Sequence, residues 1–175
     1  MPPMEDRAPA ATATLSGDAP LEFEAFFLEH QEALLRAMWL VTRNRHEAEE
    51  VVQDAFLRLL ERWARVRGAE RAEGYLYRTA MNVYRSRFRR AAVAVRKTVG
   101  WLPPDDQMAE VEARDAVVRA LAPLPARQRA AVVLVDVLGL SSEQAGEALG
   151  ISAVTVRVLA ARGRARLREA LDADR

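Results

Sequence analysis

The densest run of chemistry-bearing side chains lies between Arg78 and Lys97, where seven basic residues stand without one acid. Tyr75, Tyr77, Tyr84 and Phe88 are interleaved with them, and Trp101 lies just beyond. Aromatic faces stack on unpaired bases while guanidinium groups hold the backbone, so this composition suits a surface that binds or opens nucleic-acid strands. The plainer alternative is an ordinary helix with its aromatics in the core and its arginines in water. A second concentration runs from residue 142 to 168. A helix capped by Ser141 or Ser142, a turn at Gly150, an inward Ile151 and a second helix opened by Ser152, Val154, Thr155 and Val156 have the spacing of a helix-turn-helix. Gly146 falls where the second helix must come close to the first, an approach that a missing Cβ allows. The second helix then carries Arg157, Arg162, Arg164, Arg166 and Arg168 with no acid before Glu169, a field that suits phosphates. The third feature is the polar face of residues 46–63, with Glu49, Glu50, Gln53, Asp54, an outward Leu57, Arg58, Glu61 and Arg62. It suits a protein partner, although acids in a first turn also complement the helix dipole without one.

Other chemistries are excluded by what the chain lacks. There is no cysteine, and His30 and His46 are the only histidines, so neither a disulfide framework nor a zinc site is expected. No nucleophile elbow, HExxH, Walker loop or dinucleotide-binding glycine set is present, which argues against an enzyme and against a bound cofactor. The longest strictly apolar run, Ala130 to Val135, is far short of the ~20 residues a spanning helix needs. A cytoplasmic protein without membrane insertion is expected. The net charge of +1 conceals segregation, because Asp105 to Asp115 holds five acids against Arg114 alone. Arginine supplies 25 of the 26 basic residues, a bias that a GC-rich genome produces as readily as phosphate binding does.

These side chains need helices to position them. Residues 1–20 contain Pro2, Pro3, Pro9 and Pro20 and few large apolar side chains, and read as a disordered leader. From Leu21, Phe23, Phe26, Phe27, Leu34, Leu35, Met38 and Trp39 recur at helical spacing. A helix from His46 to Trp63 follows, with Ala48, Val51, Val52, Ala55, Phe56, Leu59, Leu60 and Trp63 on one stripe. Arg65 to Gly74 reads as a polar loop, and a helix resumes from Tyr75 to about Ala92 with Leu76, Ala80, Val83 and Tyr84 inward. Gly100, Pro103, Pro104, Asp105 and Asp106 break the pattern, giving a domain at 21–95, a linker at 96–110 and a second domain at 111–171. No stretch alternates apolar and polar residues between turn signals. The expected fold is all-α, with two small helical domains joined by a flexible linker and the helix-turn-helix in the second.

Taken together, the motifs resemble the extracytoplasmic-function, or group four, sigma factors of bacterial RNA polymerase. Ala48-Glu49-Glu50-Val51-Val52-Gln53-Asp54-Ala55-Phe56-Leu57 is similar to the family's polymerase-clamp helix. Tyr75-Leu76-Tyr77-Arg78-Thr79-Ala80-Met81-Asn82-Val83-Tyr84-Arg85-Ser86 resembles its segment that melts and reads the minus ten element. Leu124-Pro125-Ala126-Arg127-Gln128-Arg129 and the segment from Leu138 through Arg157 resemble its minus thirty-five domain. The resemblance spans about residues 22–170. It implies polymerase binding by Gln53, Asp54, Leu57 and Arg58, and minus ten binding by Tyr75, Arg78, Asn82, Arg85, Ser86, Arg89 and Arg90. The loop at Arg65 to Gly74 would help to hold a flipped base. Ser152, Thr155, Arg157 and Arg162 would serve minus thirty-five binding, with Arg127 and Arg129 near the DNA backbone. Core RNA polymerase and promoter DNA are the implied partners, and the resemblance admits an anti-sigma factor as a third. Val158-Leu159 stands where the family commonly has Ser-Arg, and Val135 where it often has arginine, so readout at minus thirty-five departs from the common pattern. The rival readings are a conventional helix-turn-helix regulator, which leaves the first domain without a task, and a helical adaptor, which leaves the arginine-aromatic segment unexplained.

Overall fold

A computed structural model describes residues 19–97 and 116–173, and every regular element among them is a helix. Helix α1 (Ala19–Thr42) begins earlier than expected: Ala19 and Pro20 belong to it rather than to a leader. Proline is favoured in a first helical turn because its missing N–H has no partner there in any case. Arg43, at φ 61°, ends α1, and Asn44 starts α2 (Arg45–Leu60) by accepting the Glu47 N–H at 2.8 Å. The rest of the leader and residues 98–110 of the expected linker lie outside the described residues, while Arg96 and Lys97, expected in the linker, are helical.

The apolar stripe of α2 buries Ala48, Val51, Val52, Ala55, Phe56 and Leu59 as expected, but the helix stops at Leu60, which is largely exposed. Trp63 instead opens a separate turn, α3 (Trp63–Val66), and is buried against Phe23 and Phe26 with ring centroids 5.3 Å away. The expected polar loop from Arg65 to Gly74 is mostly helix. Gly68, at φ 129°, makes the one sharp bend, and α4 (Ala69–Lys97) starts directly after it. Ala69, Glu70, Arg71, Ala72 and Glu73 are strong helix formers, and burial of Ala72 ties that turn to the core.

The second half comprises α5 (Ala116–Leu121), α6 (Ala126–Val132), a π-helical turn at Val133–Val137, α7 (Ser142–Leu149) and α8 (Ala153–Ala173). In the π turn the Leu138 N–H reaches back five residues to the Val133 carbonyl at 3.1 Å, and Gly139 at φ 69° then turns the chain. Leu34, Met38, Val51, Leu59, Leu76 and Met81 in the first half and Val133, Leu134 and Val156 in the second are essentially inaccessible. Each such side chain contributes roughly 1.5–3 kcal/mol relative to exposure. The buried apolar residues of both halves form one connected cluster.

Candidate nucleic-acid interface

The core-facing stripe of α2 leaves its polar face to solvent. Gln53 and Arg58 are exposed, and Leu57 is 60% exposed although it is apolar. Asp54 is half-buried and pairs with Arg87 of α4 at 3.4 Å, while the same guanidinium bonds Glu50. Arg58 also leads elsewhere: with Glu61, Arg62, Tyr75, Arg78, Thr79 and Asn82 it lines a hollow of about 350 Å³ between α2 and α4. This joins a residue expected at the polymerase to three expected at the minus ten element. Glu61 and Arg62, read from the sequence on the partner face of residues 46–63, thus line this hollow just beyond the end of α2, and Thr79, which went unassigned in the sequence, joins them one turn after Tyr75 on α4.

Along α4, Arg78, Asn82, Arg89 and Arg90 are exposed, and Tyr75 and Ser86 are half-buried. Arg90 Nε donates to the Ser86 carbonyl at 3.4 Å. Tyr77 and Tyr84, by contrast, are only 4% and 8% exposed. They therefore serve as core rather than as stacking faces, because the helical period that places Leu76, Ala80 and Val83 inward carries them inward too. Burial, reinforced by Glu73, pushes the Tyr77 hydroxyl well above its ordinary pKa.

Arg85 is turned toward the second half of the chain. One guanidinium nitrogen donates to the Leu149 carbonyl, at the C-terminus of α7, and another to Asn82 Oδ1. Burial lowers the Arg85 pKa, with repulsion from Arg89 adding to it. Beside this contact lies a cleft of about 440 Å³ whose lining includes Tyr84, Arg85, Arg89, Arg127, Gly150 and Leu159.

The helix-turn-helix is built by α7 and α8. Ser141 Oγ accepts the Gln144 N–H at 3.1 Å while Gln144 Oε1 accepts the Ser141 N–H at 2.8 Å, a reciprocal capping box. Gly150 adopts φ 65° at the turn. A Cβ on Gly146 would lie 2.8 Å from the Ile151 carbonyl oxygen, so the close approach read from the sequence is present. Ser152 Oγ accepts the Thr155 N–H at 3.2 Å and also meets the Thr155 hydroxyl at 2.8 Å. Arg157 and Arg162 are exposed, and Arg157 pairs with Glu143 at 3.3 Å. The Glu143 carboxyl is held below the usual range by a backbone hydrogen bond first, then by Ser141 and Arg157.

Arg127 is exposed, but Arg129, expected near the DNA backbone, is not available to it. Arg129 is 8% exposed, and its guanidinium donates to the carbonyls of Val41 and Leu124, each at 3.0 Å. The two arginines lie two positions apart on α6, so the helical period that exposes one turns the other inward. Among the described residues, no group of three or more acids and histidines could hold a metal ion, and no helix is long and apolar enough to cross a membrane.

The arrangement matches known proteins in both halves. The family model of Sigma-70 region 2 matches residues 26–93, and that of Sigma-70 region 4 matches residues 114–167. The chain is 36% identical over 156 residues to the ECF RNA polymerase sigma factor SigM of Mycobacterium tuberculosis, covering 89% of this chain and 79% of that protein. Among solved structures it is similar to CnrH in complex with the cytosolic domain of CnrY, at 26% identity and a TM-score of 0.64, covering 90% of this chain and 96% of the other. It also shares the fold of the sigma factor RpoE of Bartonella quintana, solved with the anti-sigma factor NepR, at 23% identity and a TM-score of 0.70 over 88% of this chain and 99% of that one.

Proposed function

Because this chain belongs to the extracytoplasmic-function sigma factors of bacterial RNA polymerase, we propose that it docks on core polymerase through α2, opens the minus ten element with α4 and reads the minus thirty-five element with α8. The observation that carries this reading is the order of the two matches, region 2 on α1 to α4 and region 4 across the helix-turn-helix. In it, residues 21–95 and 111–171 are the two working domains and 96–110 the connection between them.

Gln53, Asp54 and Leu57 form the docking face, supported by the exposure of Gln53 and Leu57 and the half-exposed Asp54 on α2 beside the core-facing stripe. Arg58 belongs both to that face and to the hollow shared with Tyr75, Arg78 and Asn82, which has room for an extruded base. Arg85, Ser86, Arg89 and Arg90 continue this surface along α4. Unstacking a base costs a few kcal/mol, and a site that holds only the extruded base returns that energy, so opening needs no nucleotide hydrolysis. Ser152, Thr155, Arg157 and Arg162 serve the upstream element, with Arg127 beside the backbone. Catalysis comes from the polymerase, and this chain performs no chemistry of its own. It acts in the cytoplasm, where the polymerase and promoter are. A regulatory protein of the anti-sigma class is a further proposed partner, supported by the CnrH relative, which is bound by the cytosolic domain of CnrY.

Mixing the chain with core RNA polymerase on duplex templates tests the proposal: transcripts should start at defined sites only when both are present. Tight, specific duplex binding by the free chain as a dimer, with no start-site selection by the mixture, would favour a conventional regulator instead.

A further inference from the structure

We propose that Val154 and Val158 of α8 read thymine methyl groups in the major groove of the minus thirty-five element. The inference deepens the proposed function and rests on its assignment of α8 to that element. Packing fixes how α8 is turned. Val156 and Ala160 are buried, and a Cβ on Gly163 would lie 2.6 Å from Val132 Cγ2 of α6, so this line of the helix faces the core. Val154 and Val158, four residues apart, lie on the opposite side and are 61% and 43% exposed.

Polar groups flank them, and Arg162, four residues after Val158, is exposed. The Ser152 and Thr155 hydroxyls meet each other at the start of α8, Arg157 pairs with Glu143 at 3.3 Å, and Arg164 pairs with Asp136 at 2.9 Å. Between these groups, the line of the first turns of α8 directly opposite the core is branched hydrocarbon. Scattered exposed valines are ordinary on a protein surface. These two, however, lie on the outward line of the second helix of a helix-turn-helix, and α8 carries no acid before Glu169 to repel phosphates. A valine offers no hydrogen bond to a base edge. The apolar feature that a major groove offers it is the thymine C5-methyl, which no other base carries.

The test uses holoenzyme formed from core polymerase and the full chain. Promoter duplexes are first enriched by initiation from a library randomised across both elements, and each upstream thymine is then replaced by deoxyuridine, which lacks only the methyl. The parent holoenzyme should lose about fourfold in initiation per contacted methyl. With Val154→Ala and Val158→Ala combined, the thymine-to-deoxyuridine ratio should fall to near one, and alanine's helix propensity keeps α8 intact. A ratio near one in the parent overturns the proposal. So does a ratio that survives in the double variant, because the methyl then acts through DNA shape, and so does a loss equal on both templates, which places the valines against protein. Arg162→Ala separates the two levels of the argument. If it weakens initiation on all templates while the parent ratio stays at one, the valine assignment alone fails. If neither Arg162→Ala nor the valine variant has any effect, α8 does not read the promoter.

Discussion

The Arg129 guanidinium of α6 donates to the Val41 carbonyl in the last turn of α1 at 3.0 Å, joining the two halves of the chain. It bonds the Leu124 carbonyl at the same distance, so a cation at the edge of the core serves two backbone acceptors that lack helical partners. Burial lowers its pKa and the neighbouring Tyr84 opposes that shift.

Arg129→Ala should therefore act on stability. Losing two charge-assisted bonds beside partly buried acceptors should cost about 2–4 kcal/mol, measured by denaturant unfolding. Arg127→Ala, two residues away and exposed, should leave stability within about 0.5 kcal/mol and reduce the salt dependence of holoenzyme binding to DNA. An unchanged unfolding midpoint for Arg129→Ala would show that the contact contributes nothing.

Asp54→Ala with Arg58→Ala should weaken core polymerase binding by about tenfold or more. Neither side chain lies on the buried stripe, and the Arg87 pair to Asp54 is half-exposed, so its loss should cost no more than about 1 kcal/mol. Arg87 keeps Glu50 as a partner. Co-purification of the double variant with core polymerase as efficient as the parent's would remove α2 from the docking surface.

Asn82→Ala with Arg85→Ala should reduce initiation on closed duplex by about a hundredfold while sparing polymerase binding. A template already unpaired across the minus ten region should recover part of the loss, since the unstacking cost has been removed in advance and Arg89 and Arg90 still hold the backbone. In the free chain Arg85 holds the Leu149 carbonyl and Asn82. Equal run-off transcript from parent and variant on duplex would refute the assignment. Equal loss on both templates would reassign the pair to general binding.

Glu47, half-buried in the first turn of α2, should destabilise the fold when ionised. Burial raises its carboxyl above the ordinary value of 4.5, Arg87 opposes the shift and Glu50 adds to it. A raised folded-state pKa means that stability is greatest below the unfolded value and falls as pH rises through the folded one. Glu47→Gln should then melt higher than the parent near pH 7, with the advantage vanishing at acidic pH. A less stable variant at pH 7 would mean that Arg87 and the helix dipole outweigh burial.

Much of this molecule is legible along the chain because helical period, capping and close packing are local properties. The apolar line of α2, the Ser141 and Ser152 caps, the turn at Gly150 and the close approach at Gly146 each depend on residues a few positions apart. The same locality misled at Gly68 to Gly74, where polar composition suggested a loop although the residues after Gly68 favour helix and Ala72 finds a core to bury in. Tertiary structure alone decided which arginines face solvent: composition does not distinguish Arg127 from Arg129, or Arg89 from Arg85. Arg129 and Arg85 turn toward Val41 and Leu149, 88 and 64 residues away in sequence. A guanidinium goes where unpaired acceptors converge, and that convergence exists only after the two halves have packed.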